Sequence, residues 1–395
     1  MNYFELTSKF NSIFSDELQK KYYYAFKVLD PYIREKILER LYKDVRKFYK
    51  KDKGFKGIIK NISYKLYNKK INNKLNNILL LSNIFRFQGF VSSLKESDFN
   101  LIGLATSKNS IRFIKNKIPV LKVNNILYNE YIEKTIENVL DLLDKNISLE
   151  SKDFTKDFYS TLSDFNFELE KMIYKLSEII RKNEIKFIIS AGDNTYEDIL
   201  PILAAKNLKV PTYVIAHGYP LGGPEKNSMV GFLPINCDKL FLWDYKMREL
   251  FKSTVFFNKT ESLNFYPKIS QSYVKSYIKD NYKKTNKELK IITFFSSPFF
   301  DKNSQIKRTQ LLKELKKLSE LKGFIFRIRY HNFEKGKRSK EKKYLKKNRI
   351  EVSKNTFFKD LLESDVIFGI NTTVLYEAYL IGKKNVYQIE WPNVS

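Results

Sequence analysis

KFIISAGDNTYEDILPILAAKNLKVPTYVIAHG, residues 186–218, carries the fold in miniature. Two short apolar runs, KFIISAGD and VPTYVIAHG, flank the helical stretch DILPILAAKN. Strand, helix and strand in that order predict two parallel strands joined by a crossover helix, since parallel neighbours need a long connection. The runs are nearly continuous in apolar residues rather than alternating. That is the pattern of strands covered on both faces.

The same unit repeats outward from this stretch. DKLFLWD (238–244) follows it, and NNILLLSN (76–83), NLIGLAT (100–106) and IPVLKVN (118–124) precede it, with helical periodicity through most of 127–183. Residues 251–287 are polar and hold no long apolar run, so they read as a connection between domains. A second alternation then starts, with strands predicted in LKIITFFSS (289–297), GFIFRIRYH (323–331), RIEVS (349–353), VIFGIN (366–371) and KNVYQIEW (384–391). Helices are predicted between them in KRTQLLKELKKLSEL, FFKDLLESD and TTVLYEAYLIG, and EKGKRSKEKKYLKKNR (334–349) reads as an exposed basic loop or helix. The expected fold class is α/β, with an N-terminal Rossmann-like domain at 76–250 and a C-terminal one at 288–395.

Residues 1–75 form a helical, basic N-terminal segment in this reading. Between Lys43 and Lys74 it carries twelve Lys or Arg against Asp44 and Asp52, with aromatic and aliphatic residues interleaved. That mixture suits an anionic membrane surface, and equally a solvated helix face packed on the body of the protein.

The length of 395 residues exceeds what one core usually serves, and a hydrophobic fraction of 43% is enough to build two. No uninterrupted apolar run predicts a transmembrane helix, and MNYFELTSKFNSIF lacks the pattern of a secretory signal. A single cysteine, Cys237, fits a reducing cytoplasm. The expected location is therefore cytoplasmic, including the inner face of the plasma membrane. The net charge of +28 favours anionic partners, although abundant Lys, Asn and Ile also reflect a compositional bias.

In open parallel sheets ligands bind beyond the carboxyl ends of the strands, which gives each polar strand end a place. Asp193 follows the first run quoted above and is a candidate general base, with helix capping as its structural alternative. Glu197 and Asp198, a turn further on, are weaker candidates. His217, one of only two histidines, ends the second run and can exchange a proton with an attacking hydroxyl. Gly218 after it permits a tight turn. In RIRYHN, strand alternation puts Arg327, Arg329 and His331 on one side, with Ile328 and Tyr330 on the other. His331 and Arg329 are candidates for a phosphate-bearing leaving group. In FGINTTVLYEA, Asn371, Thr372 and Thr373 mark a strand-to-helix turn that suits an anion, and Glu377 lies one helical turn inside.

Several motifs are absent. There is no GxxxxGK[ST] loop, no GxGxxG after a strand, no DxD at a strand end and no Cys/His cluster for zinc. The basic residues do not form a recognisable nucleic-acid reading motif. No metal, no cofactor and no specific nucleic acid is expected.

Three stretches together resemble bacterial glycosyltransferases of the GT-B fold that act in capsule and lipooligosaccharide synthesis. The branch is that of the sialyltransferases, Kdo transferases and CDP-glycerol glycerophosphotransferases. SAGDNTYEDILPILAAKNLKVPTYVIAHGYP is similar to that family's acidic strand end followed by a strand ending in His-Gly. FRIRYHN is similar to its Arg-x-His-Pro segment, with Asn332 in the place of proline. ESDVIFGINTTVLYEAYLIGKKNVYQI is similar to its hydroxyl-pair motif. The resemblance spans roughly residues 185–391 and implies two Rossmann-like domains facing across a cleft. It also implies metal-independent transfer of a sugar from a nucleotide-sugar donor to a glycan or lipid-linked acceptor. By position it makes Asp193 the base, gives His331, Thr372 and Thr373 the donor phosphate, and gives Glu377 the ribose or base. A CDP-polyol phosphotransferase or a nucleotide-sugar 2-epimerase on the same architecture is the second reading. A non-catalytic protein bound to an anionic membrane or nucleic acid is the third.

Overall fold

The computed structural model describes residues 10, 13–41, 76–105, 110–123, 130–146, 155–192, 195–216, 236–243, 247–249, 261–264, 290–296, 302–331, 339–369 and 374–389. The chain divides into two compact units. One holds residues 1–43 and 47–266, and the other holds 44–46 and 267–395.

The first unit contains a seven-stranded sheet. Its strands are β1 (Asn76–Leu80), β2 (Phe99–Ala105), β3 (Val120–Lys122), β4 (Ile185–Ser190), β5 (Thr212–Ile215), β6 (Lys239–Leu242) and β7 (Glu261–Asn264). They lie in the order β3-β2-β1-β4-β5-β6-β7, and every pair is parallel. The chain starts at the centre, winds to one edge, returns to the centre and winds to the other. That is the doubly wound, Rossmann-like pattern, with its switch point between β1 and β4. The expectation for 251–287 needs correction here. β7 lies inside that range and hydrogen-bonds to β6, so the sheet runs on to residue 264. ESLN is short and polar, as an edge strand is free to be, and it therefore gives no apolar signal.

The helices of this unit among the described residues are α1 (Asp16–Lys21), α2 (Tyr23–Leu41), α3 (Gln88–Lys95), α4 (Ser110–Lys115), α5 (Glu130–Asn146), α6 (Lys156–Lys182) and α7 (Tyr196–Asn207). Thr155 starts α6, its hydroxyl accepting the Phe158 N–H at 3.3 Å. Phe158, Leu162, Phe165, Leu169, Met172, Ile173, Leu176 and Ile180 are buried along α6, which is the 3–4 spacing of an amphipathic helix. The N-terminal helices belong to this unit rather than to a separate extension. Phe10, Phe14 and Phe26 form an aromatic cluster that reaches Phe158. The Asn166 side chain on α6 accepts the backbone N–H groups of Tyr24 and Ala25, at 2.9 and 3.0 Å. It thus caps α2 from across the fold. The basic stretch between Lys43 and Lys74 lies outside the described residues.

The second unit repeats the pattern on a smaller scale. β8 (Lys290–Phe295), β9 (Phe324–Arg329), β10 (Glu351–Val352), β11 (Val366–Gly369) and β12 (Val386–Gln388) lie in the order β10-β9-β8-β11-β12, again all parallel. The switch point is between β8 and β11. α8 (Lys302–Ser319) and α9 (Ser339–Lys347) cover one face, around Phe294, Leu311, Leu315, Ile328 and Leu345. α10 (Phe357–Glu363) and α11 (Val374–Leu380) cover the other, around Phe295, Leu361, Ile367 and Leu375. β8 is buried from Ile291 through Phe295, as a central strand between two helical layers should be. α9 falls within the low-complexity basic stretch, and its Leu345 joins the core.

No helix among the described residues is long and apolar enough to cross a membrane.

Candidate functional site

In the first unit the predicted base lies at the turn between β4 and α7. Asp193 itself is outside the described residues, but both sides of its turn are well defined. The N-cap position of α7 is Thr195, whose side chain makes no capping hydrogen bond. Asp198, in the first turn of α7, is fully buried. It accepts the Ser190 hydroxyl at 3.0 Å and the Thr195 hydroxyl at 2.9 Å. A buried carboxylate near a helix N-terminus is favoured by the helix dipole, and here it ties the end of β4 to the start of α7. Glu197 is part-exposed on the same turn.

His217 and Gly218 also lie outside the described residues. The strand that delivers them is held firmly at its end. Ala216 N–H donates to the Phe241 carbonyl at 3.0 Å, and the Trp243 indole N–H donates to the Ala216 carbonyl at 2.6 Å. β5 lies next to β4, the strand that borders the switch point.

The second unit brings its candidates to one edge. β8 lies between β9 and β11, and Ser296 N–H at its end donates to the Arg329 carbonyl at 2.9 Å. His331 leaves the end of β9. Asn371, Thr372 and Thr373 lie outside the described residues, but Gly369 ends β11 on one side of them and Val374 starts α11 on the other. The ends of β9 and β11 are separated by two strand spacings, about 10 Å. The ends of β9 and β11 thus lie on either side of the end of β8.

Glu377 sits in the first turn of α11, part-buried. Among the described residues no group donates to its carboxyl. Burial alone pushes that carboxyl up to about 7, well above the usual carboxylate range. A donor brought by a ligand, such as a ribose hydroxyl, would favour its ionised form.

Arg329 is placed differently from expectation. Alternation along β9 is as read from the sequence: Phe326, Ile328 and Tyr330 enter one core while Arg327 and Arg329 face α10. Both arginines there converge on Asp360, which is fully buried. Arg329 donates to Asp360 at 2.7 Å and to the Asn355 carbonyl at 2.9 Å, and it stacks over the Phe357 ring at 5.8 Å. Arg327 donates to Asp360 at 3.2 Å and to Glu363 at 3.0 Å, with Glu351 at 3.4 Å. Burial works against the charge on Arg327, but the bond to Glu363 and the charges of Asp360, Glu363 and Glu351 outweigh it and hold the guanidinium more firmly charged. Asp360 also accepts Ser353 Oγ and the Asn355 side-chain amide. Arg329 is therefore committed to an internal carboxylate and shapes the edge where His331 emerges, rather than offering its charge to a ligand.

Asp198, a weaker candidate in the sequence, serves the fold, and Asp360, Ser353 and Asn355, which support the second unit's edge, had no sequence signal of their own. The trace they leave is an acidic residue in the first turn of a helix that follows a strand, and many surface helices share it.

No family model matches the chain, and no curated protein matches it. Several solved structures are similar to it at low identity. A S. aureus MnaA–UDP structure is 15% identical, covers 76% of this chain and 75% of its own, and has a TM-score of 0.46. MurG of Acinetobacter baumannii is 10% identical, with coverage of 78% and 76% and a TM-score of 0.41. The UDP-N-acetylglucosamine 2-epimerase of Rickettsia bellii is 14% identical, with coverage of 81% and 79% and a TM-score of 0.45.

Proposed function

We propose that this chain is a glycosyltransferase that uses a nucleotide-sugar donor without a metal ion. The donor is held by the second unit, at the carboxyl edge of the β9-β8-β11 strands. The observation that supports this reading is the strand order β9-β8-β11: at the carboxyl ends of these strands, beside the β8–β11 switch point, His331 follows β9, and residues 370–373 join β11 to α11, whose first turn holds the part-buried carboxyl of Glu377. That is where open parallel sheets place their ligands. In this reading the phosphate meets His331 and the hydroxyls of Thr372 and Thr373, with Asn371 beside them, and Glu377 accepts the ribose hydroxyls. Neutralising the departing phosphate with protein groups is what a metal would otherwise do. Asp193 and His217, at the strand ends of the first unit, are the candidates for taking the proton of the acceptor hydroxyl. The acceptor is a glycan or a lipid-linked glycan of the cell surface.

A thermal-shift screen with CMP, CDP, UDP, GDP and dTDP in EDTA tests the donor site. A ligand that binds only the folded state raises the melting temperature. One nucleotide should do so, and His331→Ala should abolish the shift. If millimolar concentrations of all five leave the curve unmoved, the reading is wrong. Incubating the matching nucleotide-sugar without acceptor separates the nearest alternative, because accumulation of its 2-epimer would assign the site to epimerisation.

A further inference from the structure

A cavity of about 740 Å3 runs along β10, the outermost strand of the second sheet, and no residue proposed for the donor phosphate or ribose lines it except the committed Arg329. Its volume is within the range of sites for small ligands. It begins at the carboxyl ends of β9 and β10, where Tyr330 and Asn355 line it, and continues past Ile350 to α9.

The charges around it are one-sided. Lys342, Lys346, Arg349 and Lys354 all line the cavity. Among the described residues none of the four is in an ion pair, whereas Lys317 and Lys359 elsewhere in this unit have Glu314 and Glu363. Lys342 and Lys346 are four apart on α9, so they share one helix face and repel each other. The carboxylates nearby are turned to other work. Glu351 lines the cavity, but strand alternation sets it opposite Ile350 and Val352, and it pairs with Arg327 on the α10 side. Glu341 accepts the Tyr330 hydroxyl at 2.7 Å. Between the cations lies part-buried Val352, with Ile350 buried in the core beneath.

We propose that this cavity is a second binding site of the chain, taking an anionic oligosaccharide whose carboxylate or phosphate groups meet Lys342, Lys346, Arg349 and Lys354. Sugar rings bring apolar faces to Val352 and the aliphatic stems of the lysines while their anionic substituents meet the charged ends. A concave site of this size admits a short chain and excludes a flat bilayer. Calling this oligosaccharide the acceptor, or part of it, rests on the glycosyltransferase reading. The binding itself does not.

Calorimetric titration of the full chain tests it with three probes: tetragalacturonate for carboxylates, tripolyphosphate for phosphates, and maltotetraose as a neutral chain. Tetragalacturonate, tripolyphosphate or both should bind, which names the anion, and maltotetraose should not. Lys342→Ala/Lys346→Ala should weaken the anion about fivefold or more, since alanine preserves α9 while removing two contacts. Lys313→Ala/Lys316→Ala, on the exposed face of α8, should change it less than twofold. The nucleotide-induced thermal shift should survive Lys342→Ala/Lys346→Ala. If that shift is absent in the unaltered chain but the anion still binds, the site stands and the donor reading fails. Four results overturn the proposal: equal losses in both double variants, no binding of either anion at millimolar concentration, competition of the anion by the nucleotide, or Lys342/Lys346-dependent capture only of phosphatidylglycerol vesicles.

Discussion

Asp360→Asn isolates the interaction on which the second unit's edge depends. Asparagine matches the shape of aspartate, so the change removes a charge without opening a cavity. In the intact chain Asp360 is fully buried and receives both arginines of β9, the Asn355 amide and the Ser353 hydroxyl. Removing one partner of a buried ion pair costs about 3–5 kcal/mol, because the other charge is left without compensation. Arg327 retains Glu363 and Glu351. Arg329 retains the Asn355 carbonyl and the face of the Phe357 ring, so the low end, about 3 kcal/mol, is the expected cost. At about 1.4 kcal/mol per decade, amide exchange through opening of this region should accelerate roughly 100-fold. Hydrogen-exchange mass spectrometry on the full chain reads this in peptides covering β9, β10 and α10. Peptides covering β1 and β4, in the other unit, serve as the internal reference and should keep their rates. An acceleration below about fivefold, equivalent to about 1 kcal/mol, would mean that the network is replaceable packing, and the assignment of Arg329 to structure rather than ligand would fall with it.

Four further outcomes are expected. The folded chain raises the Glu377 carboxyl to about 7, above its unfolded value, so its protonated form is the one the fold favours. The stability it contributes is complete below about pH 4.5 and is lost as pH rises through 7; Glu377→Gln should therefore gain stability over the parent as pH rises across that window, measured by urea denaturation. If ribose hydroxyls donate to the ionised form, nucleotide affinity should fall as pH drops below 7 in the parent and be level in Glu377→Gln, as read by calorimetry. Gly103→Ala places a methyl carbon 2.4 Å from the ring of Phe113, which is fully buried, and should cost about 1–3 kcal/mol in denaturant titration of the first unit. Asp198→Ala leaves the buried Ser190 hydroxyl without its acceptor and should cost about 2–3 kcal/mol in the same assay.

The central strands were readable because they are buried on both faces. β1, β4 and β8 are near-continuous apolar runs, and each ends at a polar residue where the chain leaves the sheet. The edge was not readable for the opposite reason. β7 is four residues, three of them polar, recruited by hydrogen bonds to β6, and nothing in ESLN separates it from a loop. The N-terminal helices were misplaced by a related effect. From Ala25 to Ile33 nearly every residue of α2 is buried, including Asp30, so no polar stripe marks an outer face and the basic residues that follow dominate the reading.

The residues of the second unit's edge show why position along a strand is a better guide to function than residue type. His331 and Arg329 are two residues apart on the same side of one strand, and both have chemistry suited to phosphate. Arg329 lies within the sheet, where its guanidinium reaches the helix packed on that face, and a buried carboxylate there is worth more to it than an exposed ligand. His331 comes two residues after the end of β9, at the carboxyl edge of the sheet. The acid that captures Arg329 comes from 31 residues further along the chain, a pairing that exists only once β9, β10 and α10 have assembled. Local sequence identifies which residues could bind an anion. The register of the sheet determines which of them already has one.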